Sequence, residues 1–196
     1  MKNILSIFIL ALTLTFTACS DSDALINQVL DTVDTETGVV LRTIGDLPDL
    51  VTVTNEANNF INTTIEVQQG DGSFQPDFQE VNLYIELFND QDLLDPLLTD
   101  NGDAIGELFL QKFEPSVFSI SGNGLPRTDV NIIMQDVADL YVAQESTPAV
   151  PSFMALRFEI VMNDGRIIST ENVGATISGG IYFNSPFLFK VIFLPI

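Results

Sequence analysis

Residues 154–170 read MALRFEIVMNDGRIIST and carry the clearest strand pattern of the chain. Apolar side chains occupy every second position from Met154 to Met162, which is the spacing of a strand with one buried face. Asn163-Asp164-Gly165-Arg166 follows, and residues 167–170 return as a second strand. An Asp-Gly pair between alternating strands is a strong hairpin signal and predicts a type I′ turn here. The late part of the chain is therefore predicted to form antiparallel sheet.

The same period of two continues outward from this hairpin through most of the chain. It predicts further strands at 39–44, 50–54, 60–68, 81–87, 107–113, 116–120 and 187–194. Short strands at this spacing favour a mainly β, immunoglobulin- or fibronectin-III-like two-sheet β-sandwich over residues 39–196. One cysteine and no tryptophan exclude the inter-sheet disulfide and the core tryptophan of immunoglobulin domains. We therefore expect a core of Phe, Ile, Leu and Val.

One segment departs from the alternation. From Asp129 to Tyr141 the apolar residues recur at spacings of three and four, which favours a short helix. Thr128 is in position to be its N-cap. The first residues of this segment could instead continue a strand.

Composition excludes several classes of function. The 196 residues carry 27 acidic and 7 basic side chains, so the formal net charge is −20, and histidine is absent. The Ser-His-Asp triad, the Cys-His pair and histidine-ligated zinc are thereby ruled out. An acidic surface would repel phosphate, which argues against binding nucleic acid. No pair of carboxylates is marked out for hydrolysis, so we expect neither an enzyme nor a cofactor.

A cluster of carboxylates lies in the loop between Asp90 and Glu107. Calcium takes six to eight oxygen ligands, which acidic loops supply, but the EF-hand spacing is missing here. We interpret the segment as a solvated acidic loop, and the alternative is a calcium site.

The N-terminus has the features of an export signal. Lys2 precedes an apolar run from Ile4 to Phe16, which is too short for a permanent span of ~30 Å and suits a signal peptide over residues 1–18. The following Thr17-Ala18-Cys19 resembles a bacterial lipobox, with Phe16 in place of its first leucine. The resemblance implies cleavage before Cys19 and acylation of Cys19, which anchors the chain to membrane lipid. The alternative is an ordinary secretory signal with a chance cysteine.

Residues 19–38 are predicted to form a lipidated acidic tether. Ser20, Asp21, Ser22 and Asp23 resemble the signal that sends Bacteroidota lipoproteins to the outer face of the outer membrane. That resemblance implies a lipid-anchored protein of the outer membrane facing the cell exterior. Thr32, in Asp31-Thr32-Val33, resembles a Bacteroidota O-glycosylation site. The alternative for residues 20–23 is a merely solvated tether.

Further short patches resemble a set of small flavobacterial lipoproteins. They are residues 36–44, Gly124-Leu125-Pro126-Arg127 and Asn184-Ser185-Pro186-Phe187. These proteins are encoded beside SusC/SusD-type outer-membrane systems, so the resemblance implies a sandwich fold and an accessory role in such a complex. Complexes of this kind serve nutrient import or outer-membrane protein assembly. No catalytic residue is implied.

The densest aromatic patch is formed by Tyr182, Phe183 and Phe187. Exposed rings of this kind fill pockets of a protein partner or stack on sugars, although core packing accounts for part of them. We expect a partner interface here. The alternative function is a glycan- or peptide-binding lipoprotein that captures its ligand directly, which the lack of tryptophan disfavours.

Overall fold

The computed structural model describes residues 39–45, 50–53, 60–69, 77–147, 152–173 and 187–195. All of them belong to one compact unit, Glu36–Ile196, and the other unit of the chain, 1–35, lies outside the described residues. Within the described ranges, no helix is long and apolar enough to cross a membrane.

Ten strands, one α-helix and a short 3-10 turn make up the described part of the chain. The strands and the helix are β1 Val39–Ile44, β2 Leu50–Val53, β3 Phe60–Gln69, β4 Phe78–Phe88, β5 Leu108–Phe113, β6 Ser119–Ile120, β7 Pro126–Ile133, α1 Met134–Val142, β8 Ser152–Met162, β9 Ile167–Ser169 and β10 Leu188–Pro195.

The strands form two sheets. The four-stranded sheet has the order β1-β3-β7-β6, and the six-stranded sheet has the order β2-β10-β8-β4-β5 with β9 also beside β8. β10 and β9 share one side of β8, where β10 pairs with residues 152–157 and β9 with residues 159–161. All pairs are antiparallel except β10 with β2. The predicted mainly β, two-sheet sandwich with one short helix is confirmed.

The core lies between the two sheets and is built from alternate strand residues. Ile61, Ile65 and Val67 of β3 are buried on one side, and Leu156, Phe158 and Ile160 of β8 on the other. Burying such side chains contributes ~1.5–3 kcal/mol each, which is why the period of two sets the orientation of each strand. The predicted aliphatic and phenylalanine core is confirmed, with methionine and Tyr141 added.

The helix begins later than the apolar spacing indicated. Residues up to Ile133 belong to β7 and pair with β3, so α1 starts at Met134 with no side-chain cap. The predicted N-cap is wrong: Thr128 lies within β7 and donates its hydroxyl hydrogen bond to the Val117 carbonyl, 3.0 Å away. Pairing with β3 satisfies the backbone of this segment, and that outweighs the local helical pattern.

Two other local predictions need correction. The β8–β9 hairpin has a three-residue loop, in which the Gly165 N–H donates to the Met162 carbonyl at 3.0 Å. Only Gly165 in this loop has a positive φ, 90°, so the loop is the glycine-bulge type and not type I′. The predicted strand at 116–120 is mostly wrong, because Pro115–Val117 forms a 3-10 turn and only Ser119–Ile120 pair with β7.

Candidate interaction surface

Three side chains from three neighbouring strands meet on the outer face of the six-stranded sheet. Tyr84 of β4 pairs in register with Phe109 of β5 on one side and with Arg157 of β8 on the other. Residues paired in register share a face of the sheet, so the three side chains form one row. We call this row the aromatic–arginine cluster.

The cluster is closely packed and partly open to solvent. The Tyr84 and Phe109 rings meet edge to face, with centroids 5.7 Å apart and an interplanar angle of 76°. The guanidinium carbon of Arg157 lies 4.6 Å from the centroid of the Tyr84 ring, within cation–π range. Phe109 remains 51% exposed. The row therefore presents the exposed Phe109 ring beside two side chains that are already held in place.

Two carboxylates hold the arginine in place. Glu107 accepts hydrogen bonds from Nε and Nη2 of Arg157 at 2.5 and 2.6 Å, and Glu159 accepts one from Nη1 at 3.0 Å. The bonds from Arg157 to Glu107 are the main cause of a raised pKa of the guanidinium, which stays charged. The Tyr84 hydroxyl donates to Glu159 at 3.0 Å, and burial together with this carboxylate raises the pKa of Tyr84. Each charged group in the cluster thus has a partner.

A second charged cluster lies on the four-stranded sheet around Glu66, whose side chain is fully buried. Arg42 of β1 and Arg127 of β7 each place a guanidinium nitrogen 2.8 Å from one of its carboxylate oxygens. Ser121 and Asn123 donate to the same carboxylate at 3.3 and 3.4 Å. Both oxygens are therefore bonded, and the group joins β1, β3, β7 and the turn before β7 rather than offering a free base.

The acidic loop is organised by its own backbone. The Asp90 carboxylate accepts hydrogen bonds from the N–H groups of Asp95, Leu94 and Asp92 at 2.8, 2.9 and 3.1 Å. These bonds, that from Asp95 first, hold the pKa of Asp90 below its ordinary value. Glu107, at the end of the loop, is bound to Arg157. Among the described residues, no three acidic or cysteine side chains are grouped as a metal site would require.

The sequence-predicted site residues fall mostly outside the described ranges. This holds for Cys19, for Ser20, Asp21, Ser22 and Asp23, for Thr32, and for Tyr182 and Phe183.

Phe187 is described and fully buried, and its carbonyl accepts a hydrogen bond from the Phe158 N–H at 2.7 Å. Its ring therefore belongs to the core, and the expectation that it contacts a partner is corrected.

The aromatic–arginine cluster was not predicted from the sequence, although a signal for it was present. The strand at 81–87 alternates strictly, with apolar residues at odd positions, so Tyr84 falls on its outward face. In the same way Arg157 lies between Leu156 and Phe158, which are both buried, so its side chain falls on the outward face of β8. What the sequence could not show is that these two outward residues lie side by side.

Comparison with known proteins leaves the family of this chain undetermined. No family model matches it, and no curated protein does. Spo0M, a sporulation control protein from Bacillus subtilis, is similar with a TM-score of 0.38 and 10% identity over 80% of this chain and 49% of that chain. The chain thus spans about half the length of Spo0M. CopC from Methylosinus trichosporium OB3b is similar with a TM-score of 0.27 and 10% identity, over 79% of this chain and 94% of that one. Both similarities are weak, and the fold described above stands on the strand pairing of this chain itself.

Proposed function

We propose that the protein is a non-catalytic lipoprotein of the outer cell surface and an accessory subunit of a SusC/SusD-type outer-membrane complex. In this proposal acyl chains on Cys19 hold the protein to outer-membrane lipid, and the sandwich docks onto the complex. The sequence resemblances of residues 16–23 and of the short patches downstream support the anchor and the class of partner.

The aromatic–arginine cluster is the observation that carries the docking role. Tyrosine and arginine are enriched among the residues that dominate binding energy at protein interfaces. In this cluster they are already ordered by Glu107 and Glu159, so binding immobilises few further side chains. The net charge of −20 adds long-range repulsion from membrane phosphate, which keeps the domain off the lipid except where a partner holds it.

Affinity purification of the full-length protein from native membranes, followed by mass spectrometry, tests the docking role. Phe109→Ala removes the exposed ring, and we expect recovery of the complex to fall roughly tenfold, as for an interface hot spot. The matched control is Ile120→Ala, which removes a side chain of similar exposure, 56%, from the four-stranded sheet. Equal recovery with both variants, at unchanged melting temperature, would remove the cluster from the proposed interface.

The anchor is tested separately, by replacing Cys19 with serine and comparing membrane fractions. Release of the variant into the soluble fraction is the expected result, since no acyl chain can then be attached. A variant that stays as firmly bound without any partner would disprove the anchor. Protease treatment of intact cells then tests the outward location, and we expect the wild-type protein to be degraded. If the protein is protected until the cells are lysed, it lies in the periplasm.

Direct capture of a glycan is the second candidate function, favoured by one feature of the same cluster. The exposed Phe109 ring can stack on a sugar, and the nearby carboxylates of Glu107 and Glu159 can accept hydrogen bonds from its hydroxyl groups. A glycan array probed with the detergent-solubilised protein separates the two functions. A glycan signal lost in Phe109→Ala, with no complex recovered from membranes, would favour direct capture.

A further inference from the structure

A cleft of about 700 Å³ opens between the edges of the two sheets. Its walls come from β5 of one sheet, from the end of β7 of the other, and from α1. The volume lies within the range of ~300–1,000 Å³ typical of ligand pockets. None of the residues of the aromatic–arginine cluster lines it, so it is a separate surface.

The β7 wall of the cleft is the edge of a strand. Asn131, Ile132 and Ile133 line it consecutively, and successive strand residues point to opposite faces, so a space that touches all three borders the strand's edge. On this edge β6 pairs only with Pro126 and Arg127. Among the described residues no other strand pairs with this edge of β7, so its later backbone groups have no strand partner there. Unpaired backbone groups at a sheet edge accept an added strand.

The opposite wall, β5, is less suited to pairing. Its register with β4 shifts between Gln111 and Phe109, which leaves Leu110 as a bulge. Lys112 lies next along the strand and is ion-paired with Glu80 and Glu114. Bulges and lysines are the usual means by which an edge strand is blocked against further pairing. An added strand would therefore pair with β7, and β5 would contribute side-chain contacts.

The charge and polarity of the cleft indicate what such a strand carries. Asp136 and Asp139 are its only charged lining residues, and their spacing of three places them on one face of α1. Among the described residues neither forms an ion pair, and Asp139 accepts one hydrogen bond from Gln135. Beside them lie apolar side chains, including Ile133, which is 40% exposed. A complementary segment has a cation flanked by apolar residues.

We propose that this cleft binds an extended segment of a partner protein that carries lysine or arginine beside apolar residues. The segment adds as a strand to the free edge of β7 and places its cation against Asp136 and Asp139. This binding site requires neither the lipid anchor nor the aromatic–arginine cluster, and it goes beyond the docking role proposed above.

Fluorescence anisotropy with the purified full-length protein tests this binding. The probe is a fluorescein-labelled peptide of sequence Val-Lys-Val-Arg-Val-Lys. The double substitution Asp136→Asn with Asp139→Asn is expected to weaken binding roughly fivefold, as the loss of two surface ion pairs would. The matched control, Asp92→Asn with Asp95→Asn, removes the same charge from exposed loop residues that do not line the cleft. We expect it to leave the affinity nearly unchanged.

Two N-methylated forms of the same peptide, one at its valines and one at its basic residues, test the strand pairing, because only alternate N–H groups of an added strand face β7. The form that loses the donors facing β7 is expected to bind roughly tenfold more weakly. Phe109→Ala should leave the peptide affinity unchanged, which separates this site from the interface proposed above. The proposal would be overturned if the peptide showed no saturable binding at concentrations up to about 1 mM. A Kd of that size corresponds to a binding free energy of only ~4 kcal/mol. Equal weakening by both double substitutions would overturn it too, since attraction to the overall charge would then explain binding. Undiminished binding of both N-methylated forms would overturn strand addition.

Discussion

Replacing Tyr141 with phenylalanine removes a single oxygen atom from the interior of the fold. That oxygen accepts a hydrogen bond from the N–H of Leu87 at 2.7 Å, and the Tyr141 side chain is fully buried. The pairing of β4 with β5 stops at Ile85, which lies opposite Leu108, the first residue of β5. Leu87 lies two residues further along β4 and has no partner in β5. The Leu87 carbonyl accepts a hydrogen bond from the Leu97 N–H at 2.8 Å, while its N–H is bonded by the Tyr141 hydroxyl, which thereby joins α1 to the six-stranded sheet.

The substitution leaves the ring in place and the Leu87 N–H without a partner. An unsatisfied buried donor costs about 1–3 kcal/mol, and we expect the free energy of unfolding to fall by that amount. For a domain of this size the melting temperature would fall by about 2–12 °C. Urea denaturation with unchanged m-value is the measurement that checks it. The control is Tyr84→Phe, because the Tyr84 hydroxyl is part-exposed and its acceptor Glu159 keeps Arg157 as a partner. We expect the control to lose less than about 1 kcal/mol.

The same substitution changes stability at alkaline pH. Burial, as the largest cause, raises the pKa of Tyr141 above its ordinary value of 10.0. A group whose pKa is raised by folding stabilises the protein fully below its unfolded pKa, and that contribution is lost as the pH rises above about 10. Tyr141→Phe should therefore flatten the decline of stability above pH 10. A variant as stable as wild type, with an unchanged alkaline limb, would refute the role assigned to this hydroxyl.

Three further substitutions test the charged clusters and the hairpin. Glu66→Gln should lower the free energy of unfolding by about 3 kcal/mol in urea denaturation, because two arginines lose a buried counter-ion, whereas the exposed Glu114→Gln should change it little. Equal effects of the two would contradict the assigned role. Gly165→Ala should cost about 1 kcal/mol, since no atom crowds the position but its φ of 90° strains any other residue. Gly106→Ala, with open space and no positive φ, is its control, and equal stability of the two variants would argue against the strain. The pKa of Asp90 is lowered by folding, so its charged form stabilises the fold at higher pH, and this contribution is lost as the pH falls below about 4. Asp90→Asn removes this contribution and should therefore make the melting temperature fall less below pH 4. An unchanged acid limb would show that these backbone hydrogen bonds do not favour the charged form.

The strands of the sandwich were largely predictable, because a period of two is a local property. Val39–Ile44 was predicted with its observed bounds, and Phe60–Gln69 within one residue. The buried side of each followed from the same pattern, since one face of a strand must be apolar where it covers a core. The hairpin after Met162 was predicted for the same reason, and only its loop type differed.

Local patterns were insufficient where two structures compete for the same residues. From Val130 to Ile133 the apolar spacing suits a helix, but β3 offers these residues a complete set of strand partners. A single sequence does not state which long-range neighbour is present, so the start of α1 at Met134 was decided by tertiary pairing. Phe187 is a parallel case: its side chain is fully buried beside β8, where its carbonyl accepts a hydrogen bond from the Phe158 N–H, and no local pattern states this.

Four features can be read from the amino acids alone: the acidic charge, the absence of histidine chemistry, the signal-like N-terminus and the alternation typical of a sandwich. In contrast, the row of Tyr84, Phe109 and Arg157 and the pair of arginines around Glu66 arise from the folding of the chain. The physical reason is that alternation gives the face on which a side chain lies but not its neighbour across the sheet. That neighbour is set by strand order and register, which depend on how the whole chain buries its apolar surface.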